Sequence, residues 1–454
     1  MDLLNEMRGK LMLINLNKKV MKIIPTIILM ALTFTLFGCA NYEYSKTDII
    51  KIDLTRPVDS LDSSYDYLYQ LTTVDNSRDY LAHPDSVLLS NGDILTMYPA
   101  GHGKGEILTK VSKDSGISWS ANSNATPSSW VYSNETPTVY RLNFVNGDEK
   151  LIMTSANPKW TSISGDGFNA SISIDEGVSW SEFSKYYGKE STPHLSPIVA
   201  MSSLTRLKEN GVFADKWMGL FHDHKFINYK TILTFNENGE MQWSEPTQYF
   251  SEYKKMENSS NMCEVEVIRS DNGLGDELCL LTRSNSKKIN SLISFSEDEG
   301  ETWSEPRQVP ASLSGERHKA EYIDGRLFIT FRSIERDKDR LSIYKNGLKK
   351  WYSEGWVAWV GTYEDLKEGR DGQYRLKLGH TYLDGQTEMS PNANADTGYC
   401  GLVVLEDKTI VVDTYGKFGE KIADGSYRTY IVSKRIKLSD IDTLINEGKV
   451  VNLY

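Results

Sequence analysis

The sequence predicts an all-β protein, a β-propeller of six blades with seven as the alternative count, and three observations carry that expectation. A short polar motif recurs along the chain, it recurs at a nearly constant interval, and each interval holds about three strand-like runs. The motif reads S-x-D-x-G-x-x-W. It places Ser112, Asp114, Gly116 and Trp119 in one copy, Ser173, Asp175, Gly177 and Trp180 in a second, and Ser296, Asp298, Gly300 and Trp303 in a third. A fourth copy keeps Thr234, Asn236, Gly239 and Trp243 but carries two extra residues between the polar position and the tryptophan. The polar positions 114, 175, 236 and 298 are spaced by 61, 61 and 62 residues. An active site is normally written once, whereas a structural device in a repeat architecture is written once per repeat. The boxes are therefore read as turns, in which the Asp accepts from nearby backbone donors, the Gly supplies a positive φ and the Trp packs under the hairpin.

Each unit can be followed in order. The first runs through SVLLSNGDILTMYP and EILTKVSKD, with Asn91-Gly92-Asp93 as a hairpin signal. The second holds TVYRL, KLIMTSA and NASISID, the third SPIVAMSSLTRL, WMGLFHD and YKTILTFN, and the fourth CEVEVIRS, ELCLLTRS and SLISFSED. Two later units lack the box. One is HKAEYIDGRLFITFRS, followed by an insertion rich in charge and aromatics around IYKNGLKKWYSEGW. The other is CGLVVLEDKTIVVDTYG with YRTYIVSKRIKL. The strand-like YDYLYQLT near residues 65 to 72 is expected to complete the last blade, so that no sheet edge is left exposed. Residues 61–454 are thus read as a single propeller domain.

The amino terminus carries a separate message. After Lys18, Lys19, Met21 and Lys22 comes an apolar run from Ile23 to Phe37, short for a bilayer span and placed where a secretory signal's apolar region belongs. It ends in Leu36-Phe37-Gly38-Cys39, which resembles the lipobox of bacterial lipoproteins. That resemblance implies a signal peptide over residues 1–38, with Met21 as the true start, a lipidated Cys39, and a polar tether over residues 39–60. The expected location is the bacterial cell envelope, outer membrane or periplasm, with membrane contact through the lipid anchor only. A formal net charge of -11 argues against nucleic acid as a partner, since phosphate binding needs a basic face. A monomer is expected. Cys263, Cys279 and Cys400 remain; a Cys263–Cys279 disulfide is open, and buried free thiols are favoured because no dense cysteine framework is present.

Boxes at these points in a six-unit β array resemble the sialidase superfamily over nearly the whole mature chain. That family holds a substrate carboxylate with three arginines, uses a tyrosine paired with a glutamate as nucleophile, and uses an aspartate as general acid. The fourth unit, MCEVEVIRSDNGLGDELCLLTRSNS, resembles the blade that supplies the glutamate and one arginine. It nominates Glu264, with Glu266 on the same strand face as its rival, and Arg283. In the sixth unit TGYCGLVVL resembles the nucleophile strand and nominates Tyr399. A tyrosine hydroxyl is a poor nucleophile at its ordinary pKa of about 10, so a carboxylate base beside it is what the chemistry requires. For the third arginine, Arg317, Arg332, Arg336 and Arg340 stand unseparated.

Two parts of the pattern are missing. The first blade's arginine position reads Ala82-His83-Pro84, and the acid aspartate's neighbourhood reads AGHGKGEI, with Gly101 near the position and His102 beside it. A pair of histidines stands there instead, and His83 and His102 are expected to face one central mouth. Propellers that use histidine on acidic plant or algal polysaccharides, rhamnosidases acting beside glucuronate and ulvan lyases, are similar in this respect. Such a mechanism would draw on His83, His102, Tyr399, Arg283 and His224 of FHDHK. His222, Asp223 and His224 form only a weak metal pattern, so no metal is assigned, and no cofactor is expected beyond at most a structural calcium ion. Trp351, Trp356 and Trp359 read either as a sugar-stacking wall or as local core. The resemblance implies an extracytoplasmic, exo-acting glycoside hydrolase on a glycan carrying an acidic sugar. A histidine-based lyase or rhamnosidase-type enzyme and a non-catalytic glycan-binding propeller are the alternatives.

Overall fold

A computed structural model describes residues 49–59, 61–159, 162–253, 261–285, 289–335, 342–344, 348–382 and 396–451, with the backbone alone at 335, 342–344 and 348–354. Six sheets succeed one another along the chain as the blades of a propeller. Blade one pairs Asp85–Leu88, Ile94–Pro99, Ile107–Ser112 and Ser120–Ala121, and blade two pairs Thr138–Asn143, Glu149–Ala156, Phe168–Ser173 and Ser184–Tyr186. Blade three is built on Ile198–Glu209, Val212–His222, Asn228–Phe235 and Met241–Trp243, and blade four on Met262–Arg269, Leu278–Ser284, Leu292–Ser296 and Arg307–Gln308. Gly315–Ile323, Arg326–Glu335, Leu348–Gly361 and Tyr374–Lys377 make blade five, and Gly401–Val404, Ile410–Gly416 and Tyr430–Ile436 make blade six. The count is six, not seven.

The amino-terminal segment differs from its sequence reading in two ways. Ser63–Tyr69 is a 3-10 helix capped by Asp62, whose side chain accepts from Ser64 N, and the strand that completes blade six is Thr72–Asp75, paired antiparallel with Tyr430–Ile436. The aromatic residues of YDYLYQLT mimic a strand composition, but the Asp-Ser-Ser start is a cap signal and turns the run into a helix. Ile50–Asp53, inside the expected tether, lies parallel to Tyr374–Lys377 as the outer strand of blade five. Ile52 and Leu54 are fully buried with Leu438, Ile441 and Leu444 of the C-terminal helix Leu438–Asn446, so burial of an apolar face places this segment in the sheet.

The expected insertion is partly blade as well. Trp356 and Trp359 lie fully buried on the third strand of blade five, their indole N–H groups donating to Thr330 Oγ1 at 3.0 Å and to the Asp371 carbonyl at 2.5 Å. They are core, not a sugar-stacking wall; the Trp351 side chain lies outside the described residues. The cysteines are free and buried, since Cys263 sits across from Arg283 while Cys279 sits across from Ile268, at opposite ends of the same strand pair.

All four boxes sit in turns away from the site. Asp298 accepts from Ser296 Oγ at 2.8 Å, from Thr302 N at 2.8 Å and from Thr302 Oγ1 at 2.5 Å, while Gly300 N donates to Ser296 Oγ at 2.9 Å. Asp114 and Asp175 repeat the pattern with Ser118 and Ser179. Asn236 keeps a reduced version, accepting from Asn238 N and Glu240 N. Each regular box also seals a blade junction: a Cβ on Gly300 would meet Met218 Sδ at 2.6 Å, and one on Gly116 would meet Val411 Cγ1 at 2.7 Å, each on the second strand of the preceding blade. The glutamate inside two of the boxes completes the seal. Glu176 binds Arg141 of its own blade and accepts from Ser90 N of blade one; Glu299 binds Arg269 and accepts from Lys208 N of blade three.

The inner strands line a central channel, which opens as a cavity of about 1170 Å³ bordered by Val87, Tyr140, Arg206, Glu266, Lys319 and Leu402. Glu266 belongs to this channel: burial pushes its carboxyl up to about 7 and it accepts from Ala320 N at 3.1 Å. Lys319 spans the channel to Asp85 Oδ1 at 2.9 Å.

Candidate active site

Where the inner strands begin, the backbone is strained. His83 (φ 52°), Glu264 (φ 48°) and Arg317 (φ 54°) adopt the left-handed region although none is glycine, and the pairing register breaks between Cys263 and Val265 and between Glu316 and Lys319. Such conformations cost about 1–3 kcal/mol each and persist where the surroundings over-determine them, commonly at functional sites. The bulge at Glu264 aims that side chain toward the channel mouth, where His83 also stands.

There they meet Tyr399, which follows Gly398 at the start of blade six. The Tyr399 hydroxyl donates to the Glu264 carboxylate, with oxygens at 2.7 and 2.8 Å. Arg283 Nη1 donates to both Glu264 oxygens at 2.9 and 2.8 Å and to the Tyr399 hydroxyl at 2.7 Å. Burial raises the pKa of the Glu264 carboxyl, but the Arg283 guanidinium and the Tyr399 hydroxyl more than offset it and hold the group at about 2. Glu264 is therefore ionised and able to take the phenolic proton. Burial pushes the Tyr399 phenol well above its usual range, so the proton leaves only as a bond to the oxygen forms.

A second arginine closes the site. Arg332 places its guanidinium 4.8 Å from the Tyr399 ring centre and donates to Thr397 O at 2.6 Å, Glu316 Oε2 at 2.9 Å and the Tyr415 hydroxyl at 2.8 Å. Glu316 reaches the other arginine through its second oxygen, 3.2 Å from Arg283 Nη2. Arg317 is 6% exposed and donates to the Ser202 carbonyl at 2.9 Å, with Glu264 in electrostatic range. The structure thus separates the arginines left open by sequence: Arg332 stands against the Tyr399 ring, Arg317 is bonded to Ser202, and Arg336 and Arg340 lie outside the described residues. Cys39 does too.

The two histidines share the mouth. His83 lies 4.7 Å from the Tyr399 ring and 4.9 Å from that of His102. Burial, with His102 and the arginines nearby, lowers its pKa well below the usual range, so His83 is neutral and serves as a hydrogen-bonding wall next to Tyr415 Oη at 3.1 Å and Thr136 Oγ1 at 3.2 Å. His102 is 59% exposed, with Nδ1 at 2.5 Å from the Tyr80 hydroxyl and 3.7 Å from Asp396. Asp396 also accepts from Tyr80 and from the Tyr415 hydroxyl at 3.0 Å. His224 has no contact with this cluster among the described residues. Its neighbour His222 is the closer of the two, buried and drawn down to about 4 by desolvation, with Glu264 and Arg283 in range.

Five participants escaped the sequence reading: Tyr80, Glu135, Glu316, Asp396 and Tyr415. Glu135 is 2% exposed, its Oε1 accepts from Thr136 N at 2.8 Å and its Oε2 is buried without a partner. Burial pushes this carboxyl up to about 8, so it carries a proton at neutral pH. Gly103 covers it, because a Cβ there would stand 3.4 Å from both Glu135 Oε1 and the His83 ring. Only Glu316 had a readable signal, as an acid at the start of an inner strand, paired across from Arg332 as Cys263 is from Arg283 one blade earlier. The other four come from loops or strand ends with no repeat to mark them.

With this geometry in hand, comparison with known proteins is informative. A family model described as a BNR repeat-like domain matches residues 101–407. The chain belongs to that family. No curated protein matches the sequence. Several solved structures resemble it in fold. A protein of unknown function from Dyadobacter fermentans aligns with a TM-score of 0.54 at 14% identity, covering 81% of this chain and 97% of that one. An α-L-arabinofuranosidase from Fusarium graminearum, complexed with an iminosugar inhibitor, aligns at 0.51 with 11% identity, covering 82% and 98%. A point variant of NanB sialidase from Streptococcus pneumoniae aligns at 0.51 with 12% identity, covering 82% and 70%. At these identities the likeness is one of fold, a sialidase-like six-bladed propeller.

Proposed function

We propose that the protein is a glycoside hydrolase that removes a sugar unit through Tyr399, as an exo-acting enzyme of the cell envelope anchored at Cys39. The observation that carries the reading is the triad of contacts in which one carboxylate, Glu264, and one guanidinium, Arg283, both hold the Tyr399 hydroxyl. In the first step the Tyr399 oxygen attacks the anomeric carbon, the glycosidic C–O bond breaks, Glu264 takes the phenolic proton, and the leaving oxygen takes a proton from the site. Water then attacks the anomeric carbon and the tyrosyl C–O bond breaks; Glu264 returns its proton to Tyr399, and the water's proton recharges the group that served the leaving oxygen. His102, exposed at the mouth and held by Tyr80, is the group placed to serve the leaving oxygen. The glycosidases among the proteins of like fold support the same class of reaction. A histidine-based lyase has less support, because His83 is buried, neutral and already engaged on both ring nitrogens.

The test is incubation of the purified protein with sialyl, uronate and neutral glycans. A released monosaccharide, lost on Tyr399→Phe and Glu264→Gln, is expected. An unsaturated product absorbing in the ultraviolet would replace this reading with a lyase, and glycan binding without product would replace it with a binding propeller. Lipid anchoring is read from the mass of the mature protein recovered from membranes, which Cys39→Ser should return to the soluble fraction.

A further inference from the structure

The arginines at the centre of the site are already matched by internal acids. Arg283 spends Nη1 on Glu264 and Tyr399, and Nη2 on Asn285 Oδ1 at 2.6 Å and Glu316 Oε1 at 3.2 Å. Arg332 spends its three nitrogens on Thr397, Glu316 and Tyr415. Glu316 therefore lies between the two guanidiniums with one oxygen on each, the position that a gripped carboxylate would take. It is 1% exposed, so it is an integral part of the site and not a rim group that swings aside. A bidentate grip on a carboxylate is geometrically demanding, and on both guanidiniums internal carboxylates already stand within ion-pair distance. The third cation, Arg317, donates to the Ser202 carbonyl and has Glu264, Glu266 and Asp85 in range as counter-charges. At the first blade, where a further cation would be needed, Ala82 is fully buried and His83 is in contact with Tyr399. The rim adds a negative charge, Asp396, held by Tyr80 and Tyr415.

We infer that the sugar seated against Tyr399 is uncharged, because Glu264 and Glu316 already neutralise the two arginines that would hold a substrate carboxylate. This rests on the glycosidase reading for where the sugar sits and narrows its substrate class, away from the acidic sugar that the sequence resemblance implies. A neutral sugar adds no charge to the site, whereas a carboxylate would stand beside Glu264 and Glu316, which already offset the two arginines.

Two measurements test it. Saturation-transfer NMR on the Tyr399→Phe protein, using methyl α-L-arabinofuranoside, methyl α-L-rhamnoside and methyl β-D-galactoside against methyl glucuronide and the methyl glycoside of N-acetylneuraminate, reads binding without turnover. A neutral probe should bind, and every acidic probe should be weaker by about 100-fold or more. Equal or tighter binding of an acidic probe, or binding of no probe, overturns the inference. The matching 4-methylumbelliferyl glycosides read turnover with the native protein: neutral binding without turnover keeps the inference and sinks the hydrolase reading. Glu316→Gln should raise affinity for an acidic probe by about 10-fold by freeing one arginine charge. A folded Glu316→Gln protein without that gain counts against the inference, and if the variant does not fold the native panel decides.

Discussion

Acid–arginine pairs occur at both ends of this propeller, and they do different work. At the box end, Arg141 with Glu176 and Arg269 with Glu299 repeat one design two blades apart, and each glutamate also accepts a backbone N–H from the preceding blade. At the other end, Arg283 with Glu264 and Arg332 with Glu316 share no register with the boxes, sit on or beside strained backbone, and surround a phenol. The first kind fastens one blade to the next. The second is buried around a group that can react. Periodicity thus separates the ion pairs of the blade junctions from those around Tyr399 more sharply than composition does, since both ends use the same residue types.

Breaking the reactive end should give the largest effect. Tyr399→Phe and Glu264→Gln are expected to lower kcat by about 10²–10⁴-fold with little change in melting temperature, measured on whichever glycoside the panel identifies. A loss of folding instead would mean that the triad of contacts is structural. The box end should answer in the opposite currency. Gly300→Ala puts a methyl group against Met218 at a φ of 80° and should cost roughly 2–3 kcal/mol of unfolding free energy while kcat stays unchanged. Asp298→Ala removes the acceptor of the turn and should cost about 2 kcal/mol by urea titration, again without effect on kcat.

A pH titration sharpens the comparison further. The Glu135 carboxyl is raised from its ordinary 4.5 to about 8 in the folded protein, so between those values the folded state holds a proton that the unfolded state has released. Stability should fall as pH rises through that window, and below pH 4.5 the group contributes nothing. Glu135→Gln mimics the protonated form. It should raise stability at pH 8.5 and leave it nearly unchanged at pH 4.5, read from denaturant midpoints. Glu264 has the opposite sign: held at about 2, it contributes stability above pH 4.5 that is lost as pH falls toward 2. The smallest effect belongs to the clamp, where Glu299→Gln keeps the backbone acceptor but weakens the ion pair, at a cost of about 1 kcal/mol that salt reduces.

Much of this molecule was legible before any coordinates. The interval between Asp114, Asp175, Asn236 and Asp298 is a sequence quantity, and with the alternating apolar runs it defines blades, because a repeat that cannot bury its own face must stack on a neighbour. The assignment of the boxes to turns follows from the same repetition. The strands that carry them nominate Tyr399, Glu264 and Arg283, and the fold brings the three together within hydrogen-bond distance. The helix at Ser63–Tyr69 was misread because aromatic composition outweighed its cap, and the strand at Ile50–Asp53 because a short apolar run beside a polar segment has no periodicity of its own.

Closure of the ring decided the rest. Arg283 and Tyr399 are 116 residues apart in sequence, and His83 and Tyr415 are 332 apart, so which residues share the mouth depends on where six inner strands begin and not on any local pattern. The choice of Glu264 over Glu266 is a matter of two residues along one strand, one at the mouth and one inside the channel, and only the bulge after Cys263 settles it. The internal carboxylate between the two arginines is likewise a three-dimensional fact, since Glu316 means nothing until blades four and five lie side by side. Sequence therefore determined the architecture, through periodic burial, and tertiary structure determined the charge balance of the site, through contacts between blades that periodicity does not encode.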